Sequence, residues 1–231
     1  MESVQQEGVD DMKAIKAYTQ IFADFEGQKM LQKLERIGRT CYKSEDKIKE
    51  DSAEKFVAGL IKRGHEAMLE HASITVKFVT DRGISHEIVR HRIASFAQES
   101  TRYCNYSKDK FGKELTFIIP DFLTYGSEGF KIWKEQMKQV EKTYFALLEA
   151  GHTAQEARSV LPNSLKTELV MTANLREWRN FFKLRAANST GAAHPQMLEI
   201  TRPLLDDLKD MIPVVFDDII CEKDGESNGE R

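Results

Sequence analysis

The chain has 231 residues, 41% of them hydrophobic, with 34 Lys or Arg against 37 Asp or Glu and a formal net charge of −3. That apolar share is enough for a sizeable core, and the pI near 6.1 argues against a protein that coats nucleic acid through a general basic surface. No apolar run approaches the roughly 20 residues that span a bilayer, and Glu2, Asp10 and Asp11 replace the basic start of a signal peptide, so a cytoplasmic protein is expected.

In chain order, "AIKAYTQIF" (14–22) reads as a first strand, and "KMLQKLERIGRTCYK" (29–43) carries Leu31, Leu34 and Ile37 at helical spacing. Asp51 or Ser52 can cap a helix through Phe56, Leu60 and Ile61 to Gly64. "HEAMLEH" then leads into "SITVKFVT" (73–80), where Ile74, Val76 and Phe78 alternate as in a half-buried strand. Asp81, Arg82 and Gly83 suggest a turn and Ser85 a cap, so "HEIVRHR" (86–92) is expected to be a short helix.

"LTFIIP" (115–120) suggests another strand. Phe130, Trp133, Met137, Val140, Tyr144 and Leu147 follow a three-four helical rhythm until Gly151. Thr153 and Glu156 form a capping box for a short helix through Arg158, with Pro162 limiting it. "SLKTELVMTA" (164–173) is strand-like, and Asn174 with Glu177 opens the helix "LREWRNFFKLRAA" (175–187). "PQMLEITRPLLDDLKDM" (195–211) is expected to be helical with an interruption near Pro203. With no repeat, linker or composition shift, the expectation is one α+β domain over residues 1–220, a mixed or antiparallel sheet flanked by helices, and a polar, disordered tail over 221–231.

Several chemistries find no support. Cys41, Cys104 and Cys221 are far apart and lack a CxxC pair, so neither a disulfide framework nor a zinc knuckle is indicated. "HEIVRH" differs from the zinc-protease HExxH because its histidines are five apart, which on a helix turns them away from each other by roughly 140°. His65 and His71 also diverge, and no metal site is assigned. There is no GxGxxG and no GxxxxGK[ST], so a Rossmann fold or P-loop is not expected, and any bound phosphate must be held by side chains such as arginine.

The run "RHRIASFAQESTRY" (90–103) concentrates such side chains. At a helix-to-strand junction Arg90 and Arg92 can address different groups of one ligand, and beyond it Gln98, Ser100 and Arg102 share a strand parity that would make one polar row. A guanidinium, a hydroxyl and an amide together suit a phosphorylated small molecule. A salt-bridged surface segment would have the same composition. So would a nucleic-acid module in which these arginines contact phosphates while Phe96, Tyr103 and Tyr106 stack on bases.

A second cationic group comprises Arg158, Arg176, Arg179 and Arg185. Arg176 and Asn180 share a helical face, whereas Arg185 points nearly the opposite way. Opposite sides of the helix, or a site shared between subunits, would accommodate both directions. For each arginine alone, an ordinary ion pair is the plain alternative.

The triplet Arg90-His91-Arg92, followed after seven residues by Ser100, resembles the signature of the flavin-dependent thymidylate synthases. "GHEAMLEH" upstream and "EARSVLPNSLKTE", "TANLREWRNFFKLR" and "AAHPQM" downstream are similar to that family's other blocks, in the same order, from about residue 28 to about residue 205. The resemblance implies an FAD-bound homotetramer with active sites between subunits. It also implies conversion of dUMP to dTMP with 5,10-methylenetetrahydrofolate as carbon donor and NADPH as reductant. By the same resemblance His65, Glu70, Arg90, His91, Arg92, Gln98, Asn174, Arg176 and Asn180 are expected at the flavin. Glu87, Arg90, Gln98, Glu99, Ser100, Thr101, Arg102, Arg158 and Arg185 are expected at the nucleotide, with Arg185 the catalytic group that stabilises ionised uracil.

Some positions depart from the family pattern. Glu87 stands where many members have glutamine, "SFAQES" lacks the asparagine-glutamate pair of other members, and Ala67 replaces a hydroxyl residue. Ser100 is read as a positioning group because its nearest histidine, His91, belongs to the flavin motif. Cys104 matches no catalytic position and is expected to be dispensable.

Overall fold

The structure, a computed structural model, describes residues 8–9, 12–108 and 112–221. The polar stretch 222–231 expected to be disordered lies outside the described residues. Among those described, no helix is long and apolar enough to cross a membrane.

The elements in chain order are β1 (Gly8–Val9), β2 (Met12–Ile15), β3 (Tyr18–Ile21), α1 (Gly27–Thr40), α2 (Ser52–Lys62), β4 (Ser73–Asp81), α3 (Arg82–Ile88), β5 (Ala94–Gln98), β6 (Thr116–Ile118), α4 (Glu128–Glu149), α5 (Ala154–Ala157), β7 (Lys166–Asn174), α6 (Leu175–Arg185) and α7 (Pro195–Met211), with short 3-10 turns at 45–47, 66–71 and 158–160. One sheet is ordered β1-β2-β6 and the other β3-β4-β7-β5. The first is mixed: β1 runs antiparallel to β2, which pairs in parallel with β6 through Ala14 and Phe117. An α+β architecture follows, with parallel and antiparallel pairing.

The described residues divide into two compact units, one within 1–19, 77–91 and 96–170, the other within 20–76, 92–95 and 171–231. All four strands of the second sheet pass from one unit to the other, as their residue ranges show.

In the first unit Met12, Phe117, Phe130, Met137, Val140, Tyr144 and Leu165 form one apolar cluster. It is built on the α4 rhythm expected from the sequence. Ser127 caps α4 by accepting from the Phe130 amide at 3.2 Å, and Gly151 ends it at φ +92°, a left-handed conformation that costs glycine little. The Thr153–Glu156 capping box forms as expected.

In the second unit Trp178, Phe181, Phe182 and Phe216 pack ring against ring, with the Trp178 indole donating to the Ile74 carbonyl at 3.1 Å. α1 and α2 are tied by buried Glu35, which accepts from Arg39 on its own helix at 2.7 Å and from Ser52 at 2.8 Å. Gly27 opens α1 where a Cβ would lie 1.9 Å from the Met211 carbonyl, so no larger residue fits that approach.

Four local expectations are corrected. "AIKAYTQIF" is two strands in different sheets, because Met12 and Ala14 are buried while Lys16, Tyr18 and Gln20 of the same parity are exposed. Asp81 to Gly83 is no free turn: Asp81 accepts from the Ile84 amide at 2.9 Å and caps α3, while Ser85 sits inside the helix. That helix ends at Ile88, so "HEIVRHR" is helical only in its first residues. Finally, α7 runs through Pro203 without a break. Its flanks are held by buried Ile200, Leu204, Leu205 and Leu208, and the Thr201 hydroxyl shares its one proton between the Arg185 carbonyl at 2.7 Å and the Met197 carbonyl at 2.8 Å.

Candidate functional site

Each unit carries its own group of the residues singled out from the sequence. The first unit holds Glu87, Arg90, His91, Gln98 to Arg102 and Arg158; the second holds His65, Glu70, Arg92, Asn174, Arg176, Asn180 and Arg185. The covalent boundary falls inside the triplet, between His91 and Arg92. As expected, the triplet lies at a helix-to-strand junction, after α3 ends at Ile88 and before β5 begins at Ala94. His91 is buried, whereas Arg90 and Arg92 are exposed.

The polar row of Gln98, Ser100 and Arg102 does not form, because β5 stops at Gln98. The Gln98 amide is turned to Ser85 Oγ at 2.9 Å and Thr167 Oγ1 at 3.3 Å. Ser100 opens a tight turn whose carbonyl accepts from the Tyr103 and Cys104 amides at 3.2 and 2.9 Å, and its Oγ accepts from the Arg102 amide at 3.3 Å. Thr101 is buried in that turn.

Arg102 is exposed and lies over the Tyr103 ring at 5.2 Å. Its Nε donates to Gln155 Oε1 at 3.2 Å. Gln155 precedes Arg158 by three residues on the same short helical segment, so the loop is brought to the segment bearing the other cation expected at the nucleotide. Arg102 is thus held by a neutral partner, and Arg158 is exposed and makes no ion pair with a described residue. Neither guanidinium is paired with a carboxylate of a described residue.

Glu99 is held differently. One carboxylate oxygen accepts from the Tyr106 hydroxyl at 2.9 Å and the other from Lys166 Nζ at 3.1 Å. Burial, then the Glu99 charge and hydrogen bond, pushes the Tyr106 phenol far above its usual range. Burial opposes the charge on Lys166, yet the hydrogen bond to Glu168 and the charges of Glu99 and Glu168 keep its pKa above normal. Tyr106 is therefore no stacking platform for a base, and the nucleic-acid reading loses one of its three aromatic groups.

In the second unit, Glu70 and Arg176 meet at 2.6 Å on the exposed surface. Asn174 caps α6, accepting from the Glu177 amide at 2.9 Å. Asn180 lies one turn on, its amide 3.3 Å from both Glu177 carboxylate oxygens. His65 is exposed at the start of the 3-10 turn that carries Glu70. Arg185 is half-buried at the last position of α6.

Arg179, grouped with the cationic residues by sequence, is structural: it is 1% exposed and gives a bidentate pair to Asp218 at 2.6 and 2.8 Å. It also donates to Glu66 at 3.1 Å and to the Val215 carbonyl. Burial opposes its charge, and the Asp218 hydrogen bond and charge more than offset this. One residue escaped sequence reasoning. Arg82, read as part of a turn, has a buried Nη1 with no hydrogen-bond partner among the described residues. Its only sequence signal was a cation next to a helix start.

With that geometry in view, the family model of the Thymidylate synthase complementing protein matches residues 27–214. The chain is 36% identical over 149 residues to the flavin-dependent thymidylate synthase of Pyrococcus furiosus, a match covering 64% of this chain and 60% of the relative. It is 31% identical over 187 residues to that of Geobacter sulfurreducens, covering 78% of each chain. The alignment to the Pyrococcus abyssi relative likewise reaches only 57% of that protein's length. A solved structure, the UMP/dUMP methylase PolB from Streptomyces cacaoi bound with 5-Br dUMP, superposes with a TM-score of 0.71 at 21% identity, over 88% of this chain and 94% of that one; that likeness is one of fold. The chain belongs to the Thymidylate synthase complementing protein family.

Proposed function

We propose that this protein is a flavin-dependent thymidylate synthase. It methylates dUMP to dTMP, taking the carbon from 5,10-methylenetetrahydrofolate and two electrons from NADPH and leaving tetrahydrofolate and NADP+. The observation that carries the reading is the family match over residues 27–214, which encloses every proposed site residue from His65 to Arg185.

The donor set suits FAD. Arg90 and Arg92 are exposed guanidinium groups without an ion pair to any described residue, as side-chain capture of a diphosphate requires where no glycine-rich loop exists. In this reading His65, Glu70, Arg90, His91, Arg92, Gln98, Asn174, Arg176 and Asn180 hold the cofactor. When bound, FAD supplies the route by which electrons from NADPH reach the transferred carbon.

This chain's residues bind and polarise the nucleotide. Arg102 and Arg158 take the phosphate, Ser100 and Thr101 supply the turn, and Glu87, Arg90, Gln98 and Glu99 complete the surroundings. Arg185 stabilises negative charge developing on the uracil ring, which makes carbon 5 the better nucleophile. The opposed directions of Arg176 and Arg185 on α6 support a homotetramer with sites between subunits, and the composition supports a cytoplasmic enzyme.

The test is an anaerobic absorbance titration of the purified protein with FAD, followed by NADPH oxidation with and without dUMP and chromatography for dTMP when the folate is added. Flavin uptake, oxidation accelerated by dUMP, and folate-dependent dTMP support the proposal. A protein that takes up no flavin, or whose NADPH oxidation ignores dUMP, overturns it and returns the nucleic-acid reading, which predicts steeply salt-dependent binding to single strands.

A further inference from the structure

The loop that carries Ser100, Thr101 and Arg102 is fastened at its base. Glu99 stands at its start and Tyr106 at its end, and their side chains meet at 2.9 Å. The other oxygen of Glu99 is taken by Lys166 of β7 at 3.1 Å, and Lys166 also donates to Glu168 at 2.8 Å. The backbone joins in, with the Glu99 amide donating to the Glu168 carbonyl at 2.8 Å. Lys77 of β4 approaches the second oxygen of Glu168 at 3.4 Å. Tyr106 is 7% exposed and meets the Tyr144 ring edge-on, with centroids 6.0 Å apart.

Lys77, Glu99, Tyr106, Lys166 and Glu168 line a cavity of about 510 Å³ together with Cys104. The links from Glu99 to Lys166 and from Lys77 to Glu168 join residues 67 and 91 positions apart, so the loop is tied to the sheet and not merely folded on itself. Glu99 has a donor on each oxygen, so two of the roughly four acceptor sites of its carboxylate are taken within the loop and the sheet.

We propose that the Tyr106–Glu99–Lys166 clasp is a positioning device for nucleotide binding: it holds the 100–102 turn in the geometry in which Ser100, Thr101 and Arg102 meet dUMP. It rests on the proposed function. A loop ordered before the ligand arrives has less conformational entropy to lose on binding. The clasp therefore acts on nucleotide affinity and leaves the chemical step alone. Glu99, expected from the family resemblance to be among the nucleotide contacts, is in this account the pin of the loop.

The variants are Tyr106→Phe, Lys166→Met and Lys166→Arg in the full-length, FAD-loaded protein. Tyr106→Phe removes one hydrogen bond to a charged group, so KM for dUMP should rise about tenfold. Its kcat should stay within about twofold. Lys166→Met should do the same, and Lys166→Arg should recover most of the affinity. Peptide-resolved alkylation of Cys104 supplies a readout free of turnover: it should quicken in Tyr106→Phe and slow again with saturating dUMP.

An unchanged KM in Tyr106→Phe and Lys166→Met, or kcat falling with KM and with the thermal midpoint, would assign the network to stability alone and sink the inference. Unaltered Cys104 alkylation in Tyr106→Phe would sink it too. Wild-type protein that binds no dUMP, by contrast, removes the functional reading beneath it.

Discussion

Two arginines show how differently the molecule uses the same side chain. Arg102 in the first unit is exposed, its guanidinium lies over Tyr103 and, among the described residues, donates to the neutral Gln155 amide oxygen. Arg179 in the second is 1% exposed and enclosed by Glu66, Asp218 and the Val215 carbonyl. A guanidinium whose donors are spent on two carboxylates and a carbonyl is part of the framework. One held by a neutral acceptor keeps its charge uncompensated, as the proposed phosphate contact requires. Sequence composition lists both as cations in aromatic surroundings; only the partner separates them.

The largest effect should come from breaking the framework arginine. Arg179→Leu strands Glu66 and Asp218, and urea denaturation should show a loss of about 3–5 kcal/mol. Adding Asp218→Asn to that background should recover part of it, because much of the loss belongs to the abandoned carboxylates.

Next comes the ligand side of the comparison. Arg158→Ala should raise the Kd for dUMP, measured by calorimetry, by roughly 10-fold to 100-fold through loss of a charge-assisted contact. The same change should move unfolding stability by no more than about 0.5 kcal/mol, since Arg158 is an exposed side chain outside any packed core.

A pH experiment sharpens the contrast further. The Arg179 hydrogen bond, acting against burial, holds the Asp218 carboxyl below its ordinary value of 3.8. A folded-state pKa below the unfolded one means that the stabilisation is fully present above 3.8 and is lost as pH falls through the lowered value. Denaturant midpoints of wild type and Asp218→Asn should therefore differ at pH 7 and converge in acid. A gap that persists unchanged in strong acid would show that Asp218 acts through packing.

The smallest effect is expected at Cys104. It lines the cavity beside Tyr106 and matches no catalytic position of the family, and Cys104→Ser should leave turnover within about twofold. Loss of activity in that variant would reopen a nucleophilic role.

How far the site could be read from sequence follows from the range of each interaction. The Asn174 cap and the Thr153–Glu156 box were evident because both partners lie within three residues of each other. The α4 stripe was evident because helical period and burial coincide. The row of Gln98, Ser100 and Arg102 was wrong because parity holds only inside a strand, and β5 ends at Gln98. The continuity of α7 past Pro203 was missed because the contacts that hold it, Thr201 to the Arg185 carbonyl among them, come from another helix.

The ordered blocks from "GHEAMLEH" to "AAHPQM" were enough by themselves to place the chain in its family and to name the residues of both cationic groups, since motif spacing is a one-dimensional property. Which arginine is buried, which carboxylate is spent, and how the 100–102 turn is held were decided in three dimensions. Glu99 and Lys166 are 67 residues apart and Arg179 and Glu66 are 113 apart. No local rule joins such pairs; β7 beside β5 and α6 beside the 66–71 turn do, because strand pairing and helix packing bring distant side chains within hydrogen-bonding range.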